Sequence, residues 1–187
     1  MHPRPVIPLI AAALCLAGCG DAVPTGARVP APPAASSAPA FGGTDRAWVE
    51  INLAMSEELL PLLALAGSRS AKPQVKALAA EAEALTRREL TVLYELHAAA
   101  GLPAQNPHKG MPMPGMVTPE QVAEAATETG PAFDALLLKH LRAHLDQGLR
   151  LAAGERRSGV EPRTRALAER MIADRTKMAD RVGGTGT

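Results

Sequence analysis

Pro73-Gln74-Val75-Lys76-Ala77-Leu78-Ala79 and Pro162-Arg163-Thr164-Arg165-Ala166-Leu167-Ala168, 89 residues apart, agree at four of seven positions. Extending that shift without a gap lays residues 45–93 over 134–182 with ten identities in 49 positions. Composition alone would give about four, so the chain carries a weak internal duplication. Asp45 pairs with Asp134, Leu60 with Leu149 and Leu62 with Leu151. A proline at the first turn, where its missing N–H costs nothing, opens a helix in each copy. Each copy therefore reads as a helix hairpin, and two hairpins make a pseudo-symmetric four-helix bundle.

The surrounding pattern places the elements. Thr44-Asp45 is a helix-start signal, after which Trp48, Ile51, Met55, Leu59, Leu62 and Ala66 recur at helical spacing. A second helix follows from Pro73, with Val75, Leu78, Ala82, Leu85, Leu93 and Leu96 on its stripe, until Gly101-Leu102-Pro103 stops it. Residues up to Val117 are too rich in Pro, Gly and Met to be regular, and Thr118-Pro119-Glu120-Gln121 reads as the capped start of a short helix ending near Gly130. Helix four is expected from Pro131 to about Arg157, and helix five from Pro162 to about Val182. The hairpins are thus 45–100 and 131–182 within a domain over 44–182, and 183–187 is read as a disordered tail.

Composition supports an all-α class. The chain has 187 residues, 47% of them hydrophobic and only 2% aromatic, which starves strands of the residues they favour. The formal net charge of +1 gives no basic surface for nucleic acid. Beyond residue 43 the acidic and basic residues are equal in number.

Residues 1–18 have the layout of an export signal, with Arg4 ahead of an apolar run from Val6 to Ala17 that is too short to span a bilayer. Its ending, Leu16-Ala17-Gly18-Cys19, resembles the bacterial lipobox. That resemblance implies cleavage before Cys19, lipid on its thiol, and anchoring outside the cell on the cytoplasmic membrane. An ordinary secreted protein with an incidental cysteine is the alternative. Cys15 lies in the part removed, so the domain keeps no thiol for a disulfide or a nucleophile. Residues 19–43, with five prolines among Ala, Ser and Gly, form a tether able to reach roughly 70 Å.

With those features in hand, the sequence resembles the domain of unknown function family 305. The residues that carry the likeness are Met113-Pro114-Gly115-Met116, Thr118-Pro119-Glu120-Gln121, Gly130, Phe133-Asp134, His144, Ala152 and Leu167-Ala168. The resemblance implies a ferritin-like bundle and metal binding through a His-His pair and a Gln-x-x-Glu in each repeat. Here the paired histidines fall on Met55-Ser56 and His144-Leu145, and the Gln-x-x-Glu falls on Thr86 with Glu89 and on Arg175 with Met178. His144 and Glu89 alone keep the pattern.

Two constellations could hold metal. His140 and His144, four apart on one helix stripe, with Glu89 and Met55 could ligate copper, or zinc if a water completes the shell. Alternatively Glu89 takes a hydrogen bond or charge from a histidine or from Arg175 and no metal is involved. In the loop, Met111, Met113 and Met116 beside His108 offer thioethers suited to Cu(I) or Ag(I), or else they plug the open end of the bundle as pliable apolar groups. No nucleophile-and-base set and no phosphate loop is present in the sequence, so an enzyme is not expected. Two functions remain: a membrane-anchored binding domain for a soft metal such as copper, or a metal-free interaction module for another envelope protein.

Overall fold

A computed structural model describes residues 40–185. The expected export signal, Cys19 and most of the expected tether lie outside the described residues. Six helices follow one another: α1 (Gly43–Ala64), α2 (Ala66–Arg69), α3 (Pro73–Ala99), α4 (Pro119–Thr127), α5 (Gly130–Ser158) and α6 (Pro162–Thr185). No strand occurs among the described residues. Hairpin α1–α3 packs against hairpin α5–α6, with α1 beside α5 and α3 beside α6, which is the four-helix bundle the duplication implies. None of these helices is long and apolar enough to cross a membrane.

Helix boundaries follow local chemistry. Prolines occupy the first turns of α3, α4, α5 and α6. The start of α4 is closed by a reciprocal pair in which Gln121 N–H donates to Thr118 Oγ1 (3.4 Å) and Thr118 N–H to Gln121 Oε1 (3.0 Å). Three expectations need correction. The first helix does not run unbroken to Ala66, because Leu65 N–H bonds back to Leu62 and α2 begins as a separate turn. Its cap is Gly42, and Asp45 lies inside the first turn with a different task. At the other end α6 passes through Gly183 and Gly184 to Thr185, so 183–185 are no loose tail. The buried Val182 and a hydrogen bond from Arg142 Nη1 to the Ala179 carbonyl (3.2 Å) tie that last turn down.

The core is divided. One apolar half gathers Leu59, Leu62, Val75, Leu78, Phe133, Leu137 and Val182. The other gathers Trp48, Leu53, Leu93, Leu96, Ala152, Leu167 and Met171. Between these halves every long helix contributes polar side chains at the same level: Asn52 and Ser56, Thr86 and Glu89, His144, and Arg175, all buried. Because all four strips switch from apolar to polar and back together, the bundle has a polar belt at its waist.

The end where α1 starts is closed by acids turned inward. Asp45 Oδ2 accepts from Gly42 N–H (2.6 Å), while Oδ1 accepts from the N–H groups of Val160 (2.9 Å) and Glu161 (3.1 Å) and from Thr164 Oγ1 (3.0 Å). One carboxylate thereby caps α1 and α6 together, using the partial positive charge of both helix starts. Glu155 takes part through Thr164 Oγ1 (2.6 Å) and a hydrogen bond shared with Asp45. Burial and the neighbouring Asp45 push its carboxyl up to about 7, against the opposing pull of Thr164 and Arg165. Burial also tends to raise Asp45, but the hydrogen bonds from Glu155, Glu161, Gly42 and Thr164 outweigh it and hold Asp45 below 3.8. Of the two, Glu155 keeps its proton to the higher pH and Asp45 ionises first.

The sign of the linkage follows. A raised carboxyl gives stability that is complete below its ordinary value of 4.5 and is lost as pH rises through about 7. Asp45 works oppositely, its contribution being present above 3.8 and lost on acidification. The buried histidines also lose stability on acidification, so the Glu155 effect is best read as a difference between two proteins. Relative to Glu155→Gln, whose amide cannot ionise, the natural chain should lose unfolding free energy between pH 4.5 and 7. Denaturant unfolding at steps across that range measures this, and two parallel profiles would contradict the raised Glu155 carboxyl.

Candidate metal centre at the waist of the bundle

The polar belt is organised by one ion pair. Arg175 Nη2 meets Glu89 Oε2 at 2.7 Å, and its Nε donates to Oε1 (3.1 Å) and Oε2 (3.3 Å), with the two side chains only 1% and 6% exposed. This fork-on-fork contact joins α3 of the first repeat to α6 of the second. Room for the guanidinium comes from Gly148 on α5, where an added Cβ would collide with Nη1 and come within 2.9 Å of Cζ. Arg175 Nη1 has no hydrogen-bond partner, nor have Asn52 Oδ1, Ser56 Oγ and His144 Nδ1 in the same belt.

His144 is fully enclosed. Burial, and then the positive charge of Arg175, hold its ring well below 6.5, while a hydrogen bond to the Gly115 backbone works the other way. The ring is therefore neutral, donating through one nitrogen and leaving Nδ1 with a bare lone pair. Gly115 can come this close because it has φ +76 and no side chain. A Cβ there would lie 2.7 Å from the Ala143 carbonyl on α5.

Gly115 belongs to the α3–α4 connection, which is strapped along α1. Asn106 Nδ2 donates to the Glu50 carbonyl (2.8 Å), Gly110 N–H to Glu58 Oε1 (2.5 Å), and Lys109 pairs with Glu57 (3.4 Å). The end of the strap folds inward, so that Met116 and the half-buried Met113 pack on Met55, Ala54, Ile51 and Leu151. Met55 and His144, which the duplication makes equivalent, thus meet neighbouring residues of one loop: Met116 shares a cluster with Met55, and Gly115 bonds His144.

The residues singled out from sequence are regrouped by the fold. Met113 and Met116 leave the loop constellation and join the cluster of Met55 in the core. Met111 stays outside the methionine cluster, 46% exposed, and His108 lies half-buried on the strap, its N–H bonded to Asn106 Oδ1. His140 is buried toward α4, where Glu124 faces it, so the two histidines do not form one ligand group. Burial and Lys139 lower its ring below 6.5 despite Glu124. Glu89 is committed to Arg175. No group of three or more His, Cys, Asp or Glu side chains able to hold a metal is present among the described residues.

These positions decide which ion the waist could accept. A hard divalent ion held by a carboxylate and histidines does not fit, since the Glu89 carboxylate is already neutralised and a fixed positive charge stands beside His144. What stays neutral and soft here is the thioethers of Met55, Met113 and Met116 and, reached through the adjoining Gly115, the His144 ring, donor types that suit Cu(I) or Ag(I). A ligating imidazole ordinarily donates its other N–H to a carbonyl, and the Gly115 backbone provides that partner for His144.

Residues 57–182 match the pattern of DUF305, a domain of unknown function. Among solved structures, a DUF305 fragment from Deinococcus radiodurans superposes with a TM-score of 0.70 at 18% identity, covering 79% of this chain and 97% of that one. A DUF305 protein of Streptomyces coelicolor, described as secreted, gives 0.63 at 19% identity over 74% and 89% of the two chains. At such identities the likeness is one of fold. No curated protein matches the chain.

The Gly148–Arg175 contact gives a direct test of the waist. Gly148→Ala puts a methyl where the guanidinium lies and displaces it from Glu89. Overpacking together with a broken buried ion pair should cost about 3 kcal/mol of unfolding free energy. Chemical denaturation measures it, and a loss no larger than that of Gly154→Ala, which meets nothing within 4 Å, would contradict the arrangement.

Proposed function

The chain belongs to the DUF305 family, and on that footing we propose that it is an exported, membrane-anchored lipoprotein whose bundle binds a soft monovalent metal ion, Cu(I) above all, at Met55, Met113, Met116 and His144. One observation carries the metal reading. Methionines from two separate segments share one packed cluster, and Gly115, the residue before Met116, bonds a buried imidazole whose Nδ1 has no partner. A plug made only of apolar groups needs no such nitrogen, and burying it without a hydrogen bond costs stability. Export is supported by the signal-like residues 1–18 and by the Streptomyces coelicolor relative described as secreted. Lipid anchoring rests on the lipobox-like Leu16-Ala17-Gly18-Cys19.

The metal-free reading has its own observation. The Glu89–Arg175 pair fills the waist with a cation supplied by the protein itself, as a module that only presents helix faces to an envelope partner would require.

Titrating the full chain with Cu(I) against a competing chelator separates the two. Met55→Leu, Met113→Leu or His144→Leu should each weaken binding at least tenfold, in the range found when metal-site groups are removed. Met111→Leu should leave it unchanged, because Met111 lies outside the packed set. Loss of affinity on Met111→Leu equal to that on Met113→Leu would place the ion on the strap, and no binding at all would leave the interaction module.

A further inference from the structure

The end of the bundle at the α5–α6 turn carries a surface that neither metal binding nor folding explains. Arg156 and Arg157 close α5, and Arg163 and Arg165 open α6, with all four side chains exposed. Between them Val160 is 57% exposed, the most exposed large apolar side chain of the described residues. The carboxylates of this end, Asp45, Glu155 and Glu161, are turned inward and buried, so the outward face is left to the guanidiniums. Arg163 alone is partnered, by Glu161 (2.7 Å) and by the Phe41 ring at 5.8 Å, whereas Arg156, Arg157 and Arg165 form no ion pair among the described residues.

Helix stability accounts for only half of this. Cations at the end of α5 suit its dipole, but cations in the first turns of α6 oppose it. Their placement runs against the local preference, and the buried Asp45 and Glu161 offset the cost from inside.

This is also the end at which the tether enters. The described chain begins at Ala40, Phe41 lies under Arg163, and Gly42 packs against Val160, a Cβ at Gly42 falling 3.0 Å from the Val160 side chain. Residues 19–39 therefore join the fold beside the arginines. We propose that the α5–α6 turn is a docking face for anionic phospholipid headgroups of the membrane that anchors the chain, with Arg156, Arg157 and Arg165 binding phosphate and Val160 entering the interface. The proposal rests on the lipoprotein reading, and the membrane is the occupant because exposed guanidiniums without ion pairs around an exposed apolar side chain complement an anionic interface, on the face from which the chain leads back to Cys19.

The test uses the full chain with Cys19→Ser, so that no lipid contributes, and vesicles of phosphatidylcholine with or without phosphatidylglycerol. Binding should occur with phosphatidylglycerol, weaken with added salt, and be absent with phosphatidylcholine alone. Replacing Arg156, Arg157 and Arg165 by Gln should reduce it on the order of a hundredfold, since each basic side chain near an anionic surface contributes comparably. Replacing the same three by Lys should restore most of it, and replacing the distant, exposed Arg87, Lys76 and Arg88 by Gln should change it little. Equal binding to both vesicles, or equal losses in the two Gln variants, would overturn the docking face. Failure of the lipoprotein reading shows separately: the natural chain purified from membranes would then lack the mass of lipid on Cys19, whatever the vesicles report.

Discussion

The Glu89–Arg175 ion pair is the constraint around which the bundle is arranged. Two charges buried at 6% and 1% exposure incur a desolvation cost that only close, doubled hydrogen bonding can offset. That requirement fixes the separation and register of α3 against α6, and hence of one repeat against the other. It also fixes a glycine on α5. The positions equivalent to Gly148 and Arg175 in the first repeat are Leu59 and Thr86, so the duplicated halves have exchanged large for small at this level. Pseudo-symmetry of backbone survives while the chemistry of the two halves diverges.

The pair also decides what the waist can bind. With its own cation in place, the waist has its carboxylate, Glu89, already taken, and His144 is held neutral by burial and by Arg175. Neutral soft donors are what remain, and they are assembled by a loop rather than by the helices alone. Gly115 brings the strap against α5, and Met113 and Met116 reach Met55 across the α1–α5 seam. A strap fastened to α1 through Glu50, Glu57 and Glu58 gives these methionines a defined place without a regular element.

Much of the fold was legible because proline and alanine positions repeat. The 89-residue shift, the four first-turn prolines and the apolar stripes located both hairpins and the short helix between them. The possible Glu89–Arg175 contact could be read too, as an alternative to metal ligation. What could not be read was which residues would share a level. Helical periodicity gives a face, and it does not say that a loop residue 61 positions from Met55 folds back onto that face. Asp45 shows the same limit, since its signal as a helix start is real, yet its carboxylate serves α6 at residues 160–164. Gly148 carried no sequence signal at all, because a glycine inside a helix means something only once its neighbour is known.

The most direct test is a double-mutant cycle at the waist, with Glu89→Leu, Arg175→Met and both together, read as unfolding free energy. Each single change strands one buried charge and should cost about 3–5 kcal/mol, while the double change removes both charges and should return most of that loss. A double variant as unstable as the two single losses combined would show that the residues contribute independently, and the ion pair would not be what organises the bundle.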